Sequence, residues 1–192
     1  MTNIIANTTR IIEGMARKNC IIYKTILLYY KRLVKDEVEL ADIKSSDKVL
    51  CIGGGQCPFS GILLHEYTGA KVTIVDCDDY CVQVSRELIQ ILGYERDIDI
   101  LHMDGKEVPL QDYDVIHTAV QVKPMDQVFS HLKRRCDSGT RILIRLPKKS
   151  LRNFYYLEDA SIFKNYCGKV VHNWRNIGAT LLFLKSKEEY GP

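Results

Sequence analysis

Apolar residues return at helical spacing through the first forty positions of the chain. They are Ile11, Ile12, Met15, Ile22, Ile26, Leu27, Tyr30, Leu33 and Val34. No proline interrupts the region from about Thr8 to Ala41, and Asn19 is suited to a break or cap between two helices. We therefore predict an N-terminal helical extension over residues 1–45. The polar stretch KSSDK (44–48) links it to a main domain over residues 46–192.

Beyond this link, short apolar runs alternate with amphipathic stretches. The predicted strands are Val49–Gly53, Lys71–Asp76, Ile98–His102, Tyr113–Ala119, Thr140–Leu146, Gly168–Trp174 and Gly178–Lys185. The predicted helices are Phe59–Thr68, Asp79–Leu92 with Gly93 as its C-cap, Met125–Arg135 and Leu151–Lys164. Such alternation is typical of a parallel sheet that carries helices on both faces.

The last two predicted strands need a different pairing. Only a short turn around Asn176 joins them, and a parallel crossover needs a dozen or more residues. We therefore predict an antiparallel C-terminal hairpin. The complete prediction is an α/β fold with a doubly wound, Rossmann-like sheet of seven strands. This is the arrangement of the class I S-adenosylmethionine-dependent methyltransferases, and it differs from the dinucleotide dehydrogenases, whose second half repeats the first.

The composition is that of an ordinary globular protein, with 46% hydrophobic and 27% charged residues among 192. The net charge of +3 gives no strong reason to expect a nucleic-acid partner. Seven cysteines without a C-x-x-C pair predict reduced thiols, and five scattered histidines predict no metal site. No signal-peptide pattern or membrane-spanning run is visible, so we expect a cytoplasmic protein with no membrane partner.

A glycine-rich turn, VLCIGGGQCPF (49–59), follows the first predicted strand. Gly53, Gly54 and Gly55 would let a ligand approach the backbone, and Asp76 ends the next strand 21 residues further on. A carboxylate in that position can accept both hydroxyls of a ribose. Pro58 replaces the third glycine of the dinucleotide fingerprint, and the phosphate-binding G-K-[ST] is missing. The pattern therefore predicts an adenosine-type ligand without a pyrophosphate.

Further ligand contacts are expected after the third and fourth strands. Asp104, in HMDG, would accept a hydrogen bond from the exocyclic amine of adenine. The stretch HTAVQV (117–122) lacks the Asp/Asn-Pro-Pro-aromatic motif of many adenine- and amine-directed methyltransferases, which disfavours that substrate class. Beside these residues we expect cofactor contacts from Cys77, Gly105, Ala119 and Val120.

Four stretches resemble the nicotianamine synthase family, which lies within the class I S-adenosylmethionine-dependent superfamily. They are IGGGQCPFSGILL (52–64), VDCDD (75–79), YDVIHTAVQVKPMDQVFSHL (113–132) and RILIRLPKKSLRNFYY (141–156). The resemblance covers about residues 25–186, and its most specific parts are the glycine–proline turn and the last stretch. Ordinary methyltransferases have an acid and a third glycine where this chain has Cys51 and Cys57.

The resemblance implies S-adenosylmethionine as cofactor. It also implies transfer of a 3-amino-3-carboxypropyl group to a small amine or amino acid, which leaves methylthioadenosine. Two alternatives stay open. One is a class I methyltransferase that acts on a small molecule or RNA and leaves S-adenosylhomocysteine. The other is a protein that binds the cofactor without catalysis. An exposed apolar face on the N-terminal helices would also predict a homodimer.

Two residues of the N-terminal helix match a tyrosine and a glutamate of the family. Tyr30 and Glu37 are seven positions apart and share one helix face. We predict that Glu37 is the base that deprotonates the amine and that Tyr30 is its partner. The competing interpretations are a solvated helix acid for Glu37, a core aromatic for Tyr30, and Glu39 as the base from another side of the helix.

Arg145 ends the fifth predicted strand, at the same edge of the sheet as the glycine turn. We predict that its guanidinium binds a substrate carboxylate in a bidentate manner. Alternatively, Arg145 belongs with Lys148, Lys149 and Arg152 to a basic patch, either on a solvated loop or for binding RNA.

Overall fold

The structure is a computed structural model that describes residues 20–155, 161–172 and 176–186. The predicted helical stretch before Cys20 lies outside these residues, as does Trp174. Four α-helices are described: α1 (Cys20–Ala41), α2 (Phe59–Thr68), α3 (Asp79–Leu92) and α4 (Met125–Arg135). The strands are β1 (Lys48–Ile52), β2 (Lys71–Asp76), β3 (Ile98–His102), β4 (Val115–Thr118), β5 (Arg141–Pro147), β6 (Gly168–Val171) and β7 (Ile177–Leu184).

The seven strands form one sheet in the order β3-β2-β1-β4-β5-β7-β6. The first five are parallel, and β7 runs antiparallel to both β5 and β6. The predicted doubly wound fold with a C-terminal hairpin is therefore confirmed. Strand β1 pairs with β2 on one side and β4 on the other, so the direction of winding changes beside it. A ligand is expected in the crevice at this switch point.

Each face of the sheet carries its own hydrophobic core, because successive side chains of a strand point to opposite faces. Val49 and Cys51 of β1 join the cluster beneath α1, α2 and α3. Leu50 and Ile52 join the cluster beneath α4. Helix α1 packs on α2 and over β5, β6 and β7, so the described part of the N-terminal extension shares the core of the main domain. The proposed division at residue 45 stays a prediction.

Helix α3 begins and ends as its sequence predicts. The side chain of Asp78 accepts hydrogen bonds from the backbone N–H of Tyr80 and Cys81, at 3.1 and 3.3 Å. Gly93 ends the helix in the left-handed conformation, with φ of 76°. Asp78 also lies at the carboxyl edge of the sheet, so this cap places the start of α3 beside the switch point.

The prediction of one helix over Leu151–Lys164 is wrong. The described parts of this region are two 3₁₀ segments, Lys149–Tyr155 and Ser161–Phe163, and residues 156–160 lie outside the described structure. Tyr155 packs into the core beneath α1, whereas Phe163 packs into the core beneath α4. One straight helix has a single apolar stripe and cannot bury both side chains on opposite faces of the sheet.

Smaller differences concern the ends of strands. Strand β4 is shorter than predicted, and β5 continues through Pro147, where its register with β7 shifts. Strand β6 ends at Val171. Within the described residues, no helix is long and apolar enough to cross a membrane.

Gly61 allows α2 to approach β2 closely. A Cβ atom at this position would lie 2.4 Å from Cδ1 of Ile74 and 2.9 Å from its Cγ1. We expect Gly61→Val to lower the free energy of unfolding by about 1–3 kcal/mol, because the added carbons overpack this contact. Urea unfolding followed by circular dichroism measures the change. Gln90→Ala, on the exposed side of α3, is the control and should stay within about 0.5 kcal/mol of wild type. Equal stability of the two variants would contradict the prediction.

Candidate functional site

A cavity of about 270 Å³ opens at the carboxyl ends of β1, β2 and β4. Its lining comes from the glycine turn, from the ends of β2 and β4, from the loop after β3, and from Tyr30 and Arg145. All ten residues predicted to contact a cofactor line it: Gly53, Gly54, Gly55, Pro58, Asp76, Cys77, Asp104, Gly105, Ala119 and Val120. The structure thus brings this set together, and the role of each residue stays a prediction.

The glycine turn has a conformation and a packing that favour glycine. Gly53 and Gly55 have φ of 89° and 64°, in the left-handed region. A Cβ atom on Gly53 would lie 2.7 Å from Cγ2 of Val122. A Cβ on Gly54 would lie 2.6 Å from Cγ2 of Ile74. Side chains would therefore fill the space between the turn and the strands, where the backbone now forms the cavity wall.

Asp76 joins the turn to the end of β2. Its Oδ2 accepts a hydrogen bond from the backbone N–H of Gly55 at 2.8 Å, and its Oδ1 accepts one from Asp78 at 3.0 Å. A carboxylate has about four acceptor positions, so acceptor capacity remains on both oxygens. Asp104 is held differently, since its Oδ2 lies 3.3 Å from the Lys106 ammonium. Both carboxylates border the same cavity.

A buried polar network lies beside the cavity, between the sheet and α1. Adjacent strands supply Cys51, His117, Arg145 and Thr180 to it, one from each of β1, β4, β5 and β7. Strand register explains the grouping, since Cys51 pairs with His117 and Arg145 pairs with Thr180. Glu37 of α1 lies over these side chains and is fully buried. The network therefore joins the N-terminal helix to the centre of the sheet.

The Glu37 carboxylate forms a bidentate ion pair with Arg145. Nε donates to Oε1 at 2.7 Å, and Nη2 donates to Oε2 at 2.6 Å. The Thr180 hydroxyl also donates to Oε1, at 2.6 Å. Burial raises the pKa of the Glu37 carboxyl, but Arg145 and His117 outweigh it and hold the pKa well below its usual range. Glu37 is thus an ionised carboxylate in a low-dielectric environment.

This geometry changes the interpretation of Glu37 and Arg145. The alternative of a solvated helix acid for Glu37 is wrong, because its side chain is 0% exposed. The alternative of a solvated basic patch is wrong for Arg145, whose side chain is 2% exposed. Glu37 contacts Arg145 and His117, and these two side chains line the cavity. Catalysis by Glu37 and substrate binding by Arg145 stay predictions.

Tyr30 lies on the cavity side of the same ion pair. Its ring stacks on Phe59 with centroids 5.5 Å apart and 13° between the planes. The Arg145 guanidinium carbon lies 5.7 Å from the centroid of the Tyr30 ring. Tyr30 therefore contributes both to the core, as one interpretation predicted, and to the wall of the cavity. Its role as the catalytic partner of Glu37 stays a prediction.

Our sequence reasoning missed His117. Its side chain is 1% exposed and lines the cavity, and its Nε2 lies 3.4 Å from Oε2 of Glu37 without a hydrogen bond. Burial and the positive charge of Arg145 lower the pKa of His117, against an opposing effect of Glu37. A signal was present in the sequence, because a histidine interrupts the apolar strand VIHT (115–118).

Cysteines form part of the cavity lining. Cys51 and Cys57 line the cavity and are buried, and burial raises the pKa of Cys51 to about 12. Cys77, also in the lining, is exposed. In the part of the chain that the structure describes, no three histidine, cysteine or acidic side chains form a cluster suited to a metal ion.

The fold is that of class I S-adenosylmethionine-dependent methyltransferases. An RNA methyltransferase from Salinibacter ruber, solved in complex with S-adenosyl-L-homocysteine, superposes with a TM-score of 0.63 at 14% identity. The superposition covers 84% of this chain and 95% of that chain. No protein-family model matches the chain.

The more specific similarity is to nicotianamine synthase, and it confirms the resemblance seen in the sequence. MtNAS in complex with MTA and tNA superposes with a TM-score of 0.73 at 25% identity, over 90% of this chain and 68% of that chain. A variant of MtNAS in complex with S-adenosylmethionine gives a TM-score of 0.76 at 22% identity, over 91% and 70% of the two chains.

A curated relative points in the same direction. The L-histidine 2-aminobutanoyltransferase of Yersinia pestis is 26% identical over 137 residues, which are 70% of this chain. The match covers 51% of that protein, so this chain spans about half the length of the curated relative.

The buried ion pair predicts a strongly non-additive double-mutant cycle. We expect Arg145→Met to lower the free energy of unfolding by about 3–5 kcal/mol, because it leaves the Glu37 charge buried without its partner. The double variant Glu37→Met/Arg145→Met should lose much less than the sum of its single variants. Urea unfolding measures all four proteins.

An exposed ion pair on the same helix provides the control. Lys35 and Glu39 are 4.0 Å apart, with side chains 67% and 68% exposed. Lys35→Ala should change stability by less than about 0.5 kcal/mol. Additive effects at Glu37 and Arg145 would contradict the interpretation of the buried pair.

Proposed function

We propose that this chain is an S-adenosylmethionine-dependent transferase that passes a 3-amino-3-carboxypropyl group to a small amine or amino acid. One observation carries the proposal: the glycine turn and the Asp76 carboxylate border one cavity at the switch point of a nicotianamine synthase-like fold. The similarity to a 2-aminobutanoyltransferase supports the choice of transferred group.

The residues around the cavity fit S-adenosylmethionine. The turn at Gly53–Gly55 presents backbone where side chains would fill the space. In this proposal Asp76 accepts the two ribose hydroxyls, because both of its oxygens keep acceptor capacity. Asp104 accepts a hydrogen bond from the exocyclic amine of adenine. The remaining contacts come from Pro58, Cys77, Gly105, Ala119 and Val120, which complete the lining on either side.

The chemistry requires the protein to position an amine and to remove one proton. S-adenosylmethionine, when bound, supplies an electrophilic carbon beside a positively charged sulfur. Transfer forms one N–C bond and breaks one C–S bond, whose electron pair stays on sulfur, and the acceptor nitrogen loses a proton. The orientation of the amine decides which carbon is attacked. The proposed sites therefore need a group that orients the acceptor and a group that accepts the proton.

Arg145 is our proposed contact for an acceptor carboxylate. Its described hydrogen bonds to Glu37 and Ser60 use three of the five N–H groups of a guanidinium. Two N–H groups remain for a substrate. Tyr30 lies against the same guanidinium and would cover the bound acceptor. The Glu37 carboxylate holds the Arg145 guanidinium in place beneath Tyr30. Glu37 stays in the proposed catalytic group, although it is not part of the cavity lining.

A methyltransferase is the second candidate. The Salinibacter ruber RNA methyltransferase supports it, because 95% of that chain superposes on this one. Its acceptor would be a small molecule or RNA. A third candidate binds the cofactor without turnover. All three share the cavity and differ in the product.

We also infer a cytoplasmic location and a homodimer that forms through the N-terminal helices. The exposed apolar side chains of Ile21 and Leu28 on α1, 76% and 67% exposed, support the homodimer. We infer that nucleic acid is not the acceptor in the first candidate function.

Removal of the Asp76 carboxylate tests the cofactor site. We expect Asp76→Ala to weaken binding of S-adenosylmethionine roughly 10- to 100-fold, because it removes charge-assisted hydrogen bonds. Isothermal titration calorimetry measures the affinity. Asp99→Ala provides a matched control, since Asp99 is an exposed aspartate of β3 outside the cavity lining. Equal affinities of the two variants would refute the ribose contact.

The identity of the nucleoside product tests the reaction. The protein is incubated with S-adenosylmethionine and a panel of amines and amino acids that includes L-histidine, and products are identified by mass spectrometry. We expect methylthioadenosine together with an acceptor that carries the aminocarboxypropyl group. S-adenosylhomocysteine with a methylated acceptor would replace the proposal with the second candidate. Tight binding without either nucleoside would replace it with the third. Asp76→Ala should abolish product formation at low cofactor concentration.

A further inference from the structure

We propose that His117 is the catalytic base that takes the proton from the acceptor amine, and that Glu37 is the positioning residue that orients its imidazole. This inference rests on the proposed function and identifies a residue of the same site. It replaces direct proton transfer to Glu37 with transfer to a side chain that borders the cavity.

The position of His117 is the first argument. It occupies the third position of β4, two residues before Ala119, where the strand reaches the cavity wall. The cavity lining includes His117 and Arg145, whereas Glu37 lies behind them at the α1 side. A base must come within hydrogen-bond reach of the proton that it removes. Within the buried network, His117 is the proton acceptor that fulfils this condition.

The cost of burying His117 is the second argument. Its Nε2 is buried and lies 3.4 Å from the Glu37 carboxylate, a long contact that falls short of good hydrogen-bond geometry. Leu143 is its register partner on β5, and this apolar residue packs into the same core without such a cost. A buried polar group that is poorly paired is costly and calls for an explanation. Proton transfer supplies one, with Nε2 held toward the Glu37 carboxylate and Nδ1 assigned to the substrate.

The charges around His117 determine where its proton lies. Glu37 is ionised through its pair with Arg145, so the Nε2 that faces it carries the hydrogen of the neutral ring. The lone pair is then on Nδ1, the atom that we assign to the acceptor. Proton transfer from the amine nitrogen to Nδ1 produces an imidazolium beside the Glu37 carboxylate. The nitrogen lone pair forms the N–C bond, and the C–S electron pair leaves with sulfur.

The remaining groups near His117 leave it neutral and ready to accept a proton. Cys51 of β1, its register partner, is a protonated thiol, because burial raises the pKa of that thiol to about 12. Burial lowers the pKa of His117, and the positive charge of Arg145 on β5 lowers it further. Tyr30 of α1 adds a phenol to the same wall. The carboxylate of Glu37 is the group that favours the imidazolium.

Turnover at different pH values tests this assignment. In wild type, kcat should fall as the pH drops through the lowered pKa of His117, below the usual value of 6.5. His117→Gln should reduce kcat at pH 7 by roughly 10²- to 10⁴-fold and remove this acid limb, because base catalysis is lost. The dissociation constant of S-adenosylmethionine should stay within about twofold. His131→Gln is the control, since His131 contacts the carbonyl of Val108 away from the network.

A second measurement needs no turnover and no stable His117 variant. Nitrogen-15 NMR of the histidine rings in the ligand-free protein should show His117 neutral at pH 7, with its hydrogen on Nε2. In Glu37→Gln the carboxylate that favours the imidazolium is absent, so the ring should titrate at a lower pH than in wild type. A charged ring at pH 7, or a hydrogen on Nδ1, would overturn the assignment.

The outcomes separate this inference from the proposed function. If wild type transfers the aminocarboxypropyl group and His117→Gln does so at the same rate and with the same pH profile, His117 is not the base and the proposed function stands. If wild type forms no such product from any amine while it binds the cofactor, the proposed function fails and the assignment of His117 fails with it.

Discussion

The buried ion pair between Glu37 and Arg145 is the interaction on which the arrangement of this molecule depends. It joins a helix that precedes the sheet to a strand more than a hundred residues later. Two ionised groups are costly to bury, and several hydrogen bonds offset this cost. Arg145 uses Nη1 to hold the Ser60 hydroxyl at 2.7 Å, and Thr180 completes the carboxylate shell. The pair therefore fixes α1, α2 and the C-terminal hairpin around one point.

The shape of the cavity depends on the Glu37–Arg145 ion pair, because two walls of the cavity meet beside it. On one side, the glycine turn and Asp76 form a backbone cradle whose conformation is set by φ values that favour glycine. On the other side, Tyr30, His117 and Arg145 form a wall of polar and aromatic groups backed by Glu37. A donor held by the first wall would present its reactive carbons to the second. The proposed function uses both walls, one for the nucleoside and one for the acceptor.

Local sequence signals predicted most elements because those signals act over a few residues. Five strands and helices have the predicted ends: Phe59–Thr68, Lys71–Asp76, Asp79–Leu92, Ile98–His102 and Met125–Arg135. Period-two and helical apolar patterns, together with a C-terminal glycine for Asp79–Leu92, are sufficient there. Local patterns gave the wrong prediction for the segment after β5, because Tyr155 and Phe163 are buried on opposite faces of the sheet. The face on which each side chain is buried is decided by tertiary packing.

The sequence by itself determined the class of fold and the cofactor side of the cavity. The glycine turn, Pro58 and Asp76 lie at strand ends, and parallel strands bring their carboxyl ends to one edge of the sheet. The tertiary structure decided the other side. Whether Glu37 is solvated or buried, and whether His117 faces a helix or a cavity, depends on strand register and on the helix that covers that face. These contacts join residues 80 to 143 positions apart, beyond the reach of any local pattern.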